Sequence, residues 1–533
     1  MKCSANQAVM GAAAFIAAFA NLAFFRNLAE TFASSPWGHF HIFSLGLFVY
    51  CCLVLILLMF SFRAVFKPAL VGLFLLSAVA AYFMDTYHVV IDSDMLLNVI
   101  STDRAEAADL LSLRLLGYLL LLGLLPSVLL ILTDIRVESA GRAHWSRIRL
   151  ASAAFLVMLS LVLISSAFYA SFVREHKALR YYVNPLTPIY SAYKFISLRF
   201  AGSSAPLQVI GEDANISVED IDRELVILVV GETARADRFS LNGYDRKTNP
   251  ELEQEDVVSF TQVHACGTST AVSVPCMFSS FGRDAYDNQK GRSTQNVLDV
   301  LGNAGVNMLW RDNNSSSKGV SDRIRTEDFR SSNANPSCDG ECRDEGMLSG
   351  LQEYVDSQAA GDILIILHQM GSHGPAYYKR YPPGFAKFQP VCESNQLQDC
   401  LPGGINNAYD NSILYTDYFL SLVIDFLRGN DDHFETLMLY ASDHGESLGE
   451  SGVYLHGLPY WIAPEAQTHV PVILWFGRNY RDADIGAVRQ LRNESMSHDN
   501  LFHTLLGVFE IDSEVYDGRK DILQLSRDLA GTP

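Results

Sequence analysis

The chain has 533 residues, of which 49% are hydrophobic, and its mean hydropathy is +0.12. It is too long for one ordinary domain and apolar for a soluble protein. Residues 1–170 hold 10 Lys/Arg and 9 Asp/Glu, which leaves 30 basic and 50 acidic residues in the remainder. This division predicts a membrane part joined to an acidic, water-exposed part. It excludes nucleic acid as a partner, because binding a phosphate backbone requires a basic surface.

Five apolar stretches each approach the ~20 residues that cross a bilayer. Basic residues cluster in alternate connecting loops, which predicts a cytoplasmic N-terminus and places residue 173 onward outside. The first stretch lacks the basic start and the Ala-x-Ala end of a cleaved signal, so we expect it to remain as an anchor. Core helices of a soluble protein are the alternative, which five successive stretches disfavour. The stretches are 8–25, 42–62, 69–84, 115–133 and 150–172.

Two segments indicate contact with lipid headgroups. Asn98, Thr102 and Glu106 recur every four residues, so on a helix they share one face. That face is either simply solvated or able to grip a headgroup. Residues 173–200 interleave basic and aromatic side chains, as in an element lying along a membrane interface. We therefore predict a membrane domain at 1–172 that includes a periplasmic loop at 88–114, a bridging helix and linker at 173–206, and a catalytic domain at 207–533.

From residue 207 the pattern changes to short apolar runs separated by longer helical and loop stretches. This alternation favours an α/β domain with a largely parallel sheet. In such sheets the ligand site lies beyond the carboxyl ends of the strands. The runs are 225–230, 306–310, 363–367, 437–440 and 470–475.

Residues typical of metal ligands follow three of these runs: Glu232, then His368 and His373, then Asp443 with His444. Chance seldom places such residues after three separate strands. His368 has a second interpretation, since a His that ends a strand is often a hydrogen-bonded core residue. Carboxylates and imidazole suit Zn²⁺, with Mn²⁺ as the alternative.

The loop Cys266-Gly-Thr-Ser-Thr-Ala-Val-Ser-Val-Pro-Cys276 contains the candidate nucleophile, Thr270. A Thr in such a loop is ordinarily a turn residue, and its hydroxyl is a weak nucleophile. A nearby metal would lower the pKa of that hydroxyl, so the ligand residues favour the catalytic interpretation. If a helix begins near Ala271, its N-terminal amides would also stabilise a developing anion.

Three further side chains lie in polar or glycine-flanked loops. Lys318 follows the run 306–310 and could contact a phosphate, although a solvated lysine is the alternative. His373 and His456 are flanked by glycine, which permits close approach of a substrate. They could bind a second metal or act as general acid and base.

Six of the nine cysteines form close pairs in the polar part, without the His or repeated Cys spacing of a zinc site. Local disulfides in an oxidising compartment are the simpler interpretation, and reduced thiols the alternative. The pairs are Cys266/Cys276, Cys338/Cys342 and Cys392/Cys400.

Several motifs together resemble a known family, the bacterial phosphoethanolamine–lipid A transferases, which include the mobile colistin-resistance enzymes. Five apolar spans precede these motifs, and the resemblance covers nearly the whole chain. The motifs are Gly231-Glu-Thr-Ala-Arg235, Cys266-Gly-Thr-Ser-Thr-Ala-Val-Ser-Val-Pro-Cys-Met-Phe-Ser279, His368-Gln-Met-Gly-Ser-His-Gly-Pro375 and Ser442-Asp-His-Gly-Glu446.

The resemblance implies an alkaline phosphatase/sulfatase-like domain on the periplasmic side of the inner membrane. It implies zinc bound at Glu232, Thr270, Asp443 and His444, with Thr270 carrying phosphoethanolamine during turnover. The three cysteine pairs match the family's disulfides. Positions associated there with substrate or a second zinc match Asn98, Thr102, Glu106, Asn314, Lys318, His373 and His456.

The implied reaction takes phosphoethanolamine from phosphatidylethanolamine, releases diacylglycerol and modifies a phosphate of lipid A. The product carries less negative charge, so polymyxins such as colistin would bind the cell surface more weakly. We expect a monomer surrounded by membrane lipids. A phosphoglycerol transferase, or a transferase acting on core lipopolysaccharide sugars, could use the same centre, because fold does not fix substrate. A non-catalytic sensor is disfavoured, because every expected ligand is present.

Overall fold

A computed structural model describes residues 2–62, 65–101, 104–136, 139–202, 206–217 and 222–530. The chain forms two compact units. The first comprises residues 1–96 and 111–196, and the second comprises residues 97–110 and 197–533.

The described residues up to 202 are almost entirely helical. A short parallel pair joins β1 (Lys2–Cys3) to β2 (Asp134–Ile135). A π-helical turn at Leu119–Leu124 connects two of the helices. The helices are α1 (Ala5–Phe19), α2 (Leu22–Phe32), α3 (Gly38–Met59), α4 (Phe66–Thr86), α5 (Ser93–Ser101), α6 (Arg104–Asp109), α7 (Leu113–Tyr118), α8 (Leu125–Leu132), α9 (Ala140–Ile164), α10 (Ser166–Glu175), α11 (Lys177–Tyr181) and α12 (Leu186–Gly202).

Within the described ranges, four helical stretches are long and apolar enough to cross a membrane: Gly38–Met59, Phe66–Thr86, Leu113–Leu132 and Gly141–Ile164. The first predicted span falls instead on α1 and α2, which meet at 57° and make a fifth span if they cross together. The break lies at Asn21, whose side-chain amide donates to the Ile16 carbonyl at 2.9 Å. The Ile16 carbonyl also accepts from the backbone amide of Ala20 at 3.0 Å, so the Asn21 side chain adds a second donor at the end of α1.

The second unit from residue 207 onward alternates strands with helices. Its strands are β3 (Asn215–Ile216), β4 (Glu224–Gly231), β5 (Val257–His264), β6 (Asn307–Asp312), β7 (Arg325–Asp328), β8 (Ile363–His368), β9 (Glu435–Ser442), β10 (Ser447–Leu448), β11 (Tyr454–Leu455), β12 (His469–Phe476), β13 (Met496–Ser497) and β14 (Ile511–Asp512). Its helices are α13 (Thr270–Met277), α14 (Gly282–Ala285), α15 (Asn288–Ser293), α16 (Val297–Asn303), α17 (Leu351–Ser357), α18 (Pro402–Arg428), α19 (Glu465–Thr468), α20 (Ile485–Gln490), α21 (Leu501–Val508) and α22 (Ile522–Ala530).

Eight strands form one sheet in the order β13-β5-β12-β9-β4-β8-β6-β7. The pairs β9–β4, β4–β8, β8–β6 and β6–β7 are parallel, while β12 is antiparallel to both neighbours. The five predicted runs correspond to β4, β6, β8, β9 and β12, which confirms the largely parallel sheet. The sequence pattern did not reveal β5, β7 and β13.

Both faces of this sheet are buried. On β4, Val226 and Leu228 point into one apolar core with residues of α16, α21 and α22. The alternate residues Leu225 and Ile227 point into a second core with residues of α17 and α18. A parallel strand covered on both faces reads as a continuous apolar run, as residues 225–230 of β4 do. The predicted α/β class is therefore confirmed.

The register brings the ends of the central strands level. On β4, Val230 pairs with His368 of β8, and Gly231 pairs with Ser442 of β9. The residues that follow these strands therefore lie together at the carboxyl ends of the strands, as the sequence predicts.

Three disulfides join Cys266 to Cys276, Cys338 to Cys342 and Cys392 to Cys400, the same pairs that the spacing indicates.

Replacing Ile227 tests the importance of the central strand. Ile227 is fully buried between β8 and β9, so Ile227→Ala should lower the free energy of unfolding by about 2–5 kcal/mol. Ile227→Val removes one methylene and should cost only about 0.5–1.5 kcal/mol. Thermal unfolding of the full-length protein in detergent would measure both. Equal losses in the two variants would contradict tight packing at this position.

Candidate active site

Thr270 is the first residue of α13, directly after the N-cap Ser269. The extended backbone of Ser269 starts the helix, and the Cys266–Cys276 disulfide ties the preceding loop to the helix end. The Thr270 hydroxyl therefore stands at the N-terminal end of α13, close to the start predicted at Ala271. The amides at the start of a helix favour negative charge beside them.

Four predicted metal ligands converge at the sheet edge. The Thr270 hydroxyl donates to Glu232 Oε2 at 3.1 Å and lies 3.4 Å from His444 Nε2. The same nitrogen lies 3.4 Å from both Glu232 Oε1 and Asp443 Oδ2. The three charged or ionisable residues are completely buried. The residues that directly follow β4 and β9, together with the first residue of α13, thus present three oxygen-bearing groups and one nitrogen to a common point.

The electrostatics of this cluster call for a cation. Among the described residues, Glu232 Oε1 and Asp443 Oδ2 are buried without a hydrogen-bond partner. Burial, together with the negative charge of Glu232, raises the pKa of Asp443 well above its usual range. Burial lowers the pKa of His444 well below its usual range, so its imidazole is neutral. Its Nδ1 donates to the Gly445 carbonyl at 2.9 Å, which leaves the lone pair of Nε2 facing the carboxylates. A divalent cation would fit this donor set.

Asn314 and Lys318 lie on the loop that follows β6. The Asn314 side-chain amide donates to Glu232 Oε2 and to the Gln369 carbonyl, both at 2.7 Å. The Lys318 ammonium donates to Ser315 Oγ at 2.5 Å, and that hydroxyl donates to Asn314 Oδ1 at 3.0 Å. Both predicted residues are therefore linked to the cluster through hydrogen bonds.

A second group of ionisable residues adjoins the first. His456 Nδ1 lies 2.8 Å from Glu446 Oε2, and the Tyr377 hydroxyl donates to Glu446 Oε1 at 2.6 Å. A carboxylate only accepts hydrogen bonds, so His456 carries its proton on Nδ1. The His456 ring centroid lies 4.4 Å from that of His444 and 5.6 Å from that of His373. The two histidines predicted to assist the reaction are thus together.

His368 takes the second of its two interpretations. Its Nδ1 lies 3.0 Å from Asp312 Oδ2, and its ring packs edge-on against Trp310. It is completely buried in the sheet and is absent from the metal-ligand groups formed by the described residues. The prediction of His368 as a metal ligand was wrong. Successive side chains of a strand point to opposite faces of the sheet, and that of His368 points into the core beside Trp310.

The predicted polar stripe is only partly described. Asn98 is half-buried on α5, and Glu106 lies in α6. Thr102 lies outside the described residues.

His498 supports the site and was missed in the sequence. Its Nδ1 accepts from the Cys266 amide at 3.1 Å, and its Nε2 donates to the Ser442 carbonyl at 3.0 Å. Burial lowers its pKa to about 3, so it stays neutral. It connects the Thr270 loop to the strand that precedes Asp443. The sequence around His498 offers little to find it by, because the preceding strand β13 has two residues and shows no periodic pattern.

An α/β sandwich with a buried hydroxyl at a helix start, beside a metal-ligand set at the carboxyl edge of its sheet, defines a sulfatase-like enzyme. The sulfatase family model matches residues 224–511, and the model for phosphoethanolamine transferase EptA/EptB matches residues 49–200.

The chain belongs to the phosphoethanolamine transferase family. It is 43% identical to phosphatidylethanolamine transferase Mcr-1 of Escherichia coli, over 95% of both chains. It is 42% identical to Mcr-2 of the same organism, over 96% of both. The integral membrane lipooligosaccharide phosphoethanolamine transferase A of Neisseria meningitidis matches with a TM-score of 0.94 and 33% identity, covering 98% of this chain and 99% of that one.

Chelation should reveal the repulsion between the two carboxylates. Removing divalent cations from the wild type leaves Glu232 and Asp443 buried together, so the melting temperature should fall. The fall should be smaller for Glu232→Gln, which removes one of the two charges. Melting curves with and without EDTA, together with metal content by mass spectrometry, measure this. Glu253→Gln, at a partly exposed carboxylate paired with Lys247, is the matched control and should respond like the wild type. An equal response from Glu232→Gln would contradict a cation site here.

Proposed function

We propose that this protein transfers phosphoethanolamine from phosphatidylethanolamine to a phosphate of lipid A through a covalent phospho-Thr270 intermediate. The observation that supports this most strongly is the Thr270 hydroxyl, 3.1 Å from Glu232 and 3.4 Å from His444, in a chain with named transferase relatives along its whole length. The enzyme works as a monomer in the inner membrane, with a cytoplasmic N-terminus. Residues 1–172 form the membrane domain, 173–206 the bridging segment and 207–533 the periplasmic catalytic domain.

Glu232, Thr270, Asp443 and His444 would hold one zinc ion. A second would lie near His373 and His456. When bound, zinc lowers the pKa of the Thr270 hydroxyl and polarises a phosphoryl oxygen of the donor. The mixed oxygen and nitrogen donor set supports this choice of metal.

In the first half-reaction Thr270 Oγ attacks the donor phosphorus, and the bond from phosphorus to the diacylglycerol oxygen breaks. The Thr270 proton is lost, and the leaving diacylglycerol oxygen gains one. His456 is placed to exchange that proton, because Glu446 holds its Nδ1–H and leaves Nε2 toward the site. Lys318 binds a non-reacting oxygen of the donor phosphate, and the amides of α13 favour its added charge. Asn314 holds Glu232 in place beside it, because its two amide hydrogens donate to Glu232 and to the Gln369 carbonyl.

In the second half-reaction an oxygen of a lipid A phosphate attacks the phosphorus held on Thr270. The bond to Thr270 Oγ breaks, the threonine regains its proton, and His373 lies beside His456 to assist. The added ethanolamine is cationic, so the lipid surface becomes less negative. Polymyxins, which are cationic, would then bind it more weakly.

Replacing Thr270 tests the mechanism. Thr270→Ala removes the attacking oxygen, so phosphoethanolamine addition to lipid A should fall by at least about 10³-fold, whereas Thr270→Ser should keep part of the activity. Mass spectrometry of lipid A from producing cells measures the product. The intact protein given donor lipid should gain the mass of phosphoethanolamine on Thr270.

Thr268→Ala is the matched control, since the Thr268 hydroxyl donates to the Leu458 carbonyl at 2.7 Å instead of entering the cluster. It should leave modification close to wild type. Retained modification in Thr270→Ala would contradict the covalent mechanism. A mass increase confined to core sugars, or one equal to phosphoglycerol, would contradict the assigned acceptor or donor.

A further inference from the structure

A short segment between two membrane-spanning helices belongs to the catalytic unit. Residues 97–110 group with residues 197–533, although the chain on both sides of the segment groups with the other unit. The segment includes the end of α5, α6 and two of the described candidate substrate residues, Asn98 and Glu106. Specific contacts must hold so short a segment in place.

Asp109, the last residue of α6, supplies those contacts. Its carboxylate Oδ1 accepts from the Lys379 ammonium at 2.5 Å and from the Asn395 amide at 3.2 Å, and its Oδ2 lies 3.4 Å from Arg380 Nη2. The Asn395 amide also donates to the Asp109 main-chain carbonyl at 2.9 Å. The Asp109 side chain is only 12% exposed. Both carboxylate oxygens and the backbone are therefore held by residues 379–395.

Arg380 extends this connection to the active site. Its Nε donates to the His373 carbonyl at 2.7 Å, and Nη1 pairs with the carboxylate of Glu341. The guanidinium is 5% exposed. Two cations thus meet two carboxylates in a charge-balanced cluster, and breaking such a buried pair leaves an uncompensated charge.

We propose that Asp109, Lys379 and Arg380 are positioning residues that fix segment 97–110 relative to His373, so that the headgroup of the lipid donor is held where Thr270 can attack it. The inference rests on the proposed function. The cluster acts on donor binding through the bond from Arg380 Nε to the main-chain carbonyl of His373. Among the described residues, neither Asp109, Lys379 nor Arg380 bonds to Glu232, Thr270, Asp443 or His444.

The test uses the full-length protein in detergent with fluorescent phosphatidylethanolamine, and follows release of diacylglycerol. Asp109→Ala should lower kcat/KM by about tenfold to hundredfold, mainly through a higher KM, because a charged hydrogen-bonded contact is lost. Asp109→Glu should recover part of the loss. Asp109→Ala combined with Lys379→Ala should cost less than the sum of the single changes, because the two residues share one interaction.

Amide hydrogen exchange separates positioning from general damage. In Asp109→Ala, peptides covering 97–110 should exchange faster, while α13 and the metal content stay as in the wild type. Asp256→Ala is the control, because it breaks a more exposed carboxylate–arginine pair with Arg489. It should leave kcat/KM and exchange in 97–110 unchanged.

Wild-type kcat/KM in Asp109→Ala, or unchanged exchange in 97–110, would overturn the proposal. So would a joint fall in kcat, metal content and protection of α13, which would indicate general damage. If the wild type released diacylglycerol but left lipid A unmodified, only the proposed acceptor would be contradicted. Amide hydrogen exchange in 97–110 would still decide whether Asp109 anchors this segment.

Discussion

The active site depends on two carboxylates that are buried together at the carboxyl end of the central strands. Glu232 and Asp443 are completely shielded from water, and each has an oxygen without a hydrogen-bond partner among the described residues. Burying two like charges together is costly unless an opposite charge joins them. In this fold the two carboxylates are buried beside Thr270, which is the hydroxyl among the predicted ligands. That arrangement supports the proposal that a cation binds here beside Thr270.

The surrounding hydrogen bonds orient the groups that face this point. The Gly445 carbonyl fixes the tautomer of His444, Asn314 holds one oxygen of Glu232, and Glu446 fixes the tautomer of His456. His498 links the Thr270 loop to the end of β9. Side chains held in this way need little rearrangement during reaction, which is how electrostatic preorganisation lowers a barrier.

The proposed lipid donor adds a second requirement, because its headgroup must reach the buried Thr270 hydroxyl. Segment 97–110 connects membrane-spanning helices in the sequence, yet its contacts lie with the catalytic unit. Arg380 joins this segment to the His373 turn through one guanidinium. The segment proposed to bind the donor is thus connected by hydrogen bonds to the His373 turn of the candidate active site.

The sequence alone determined the membrane helices, the α/β class and the candidate ligand residues Glu232, Asp443 and His444, because apolar length and strand-end position are local properties. Tertiary structure decided the role of His368, which pairs with Asp312 in the core, and the supporting roles of His498 and Asp109. These depend on partners 56, 232 and 270 residues away in the chain. No local pattern encodes such partners, since only the packed strands and loops bring them within hydrogen-bonding distance.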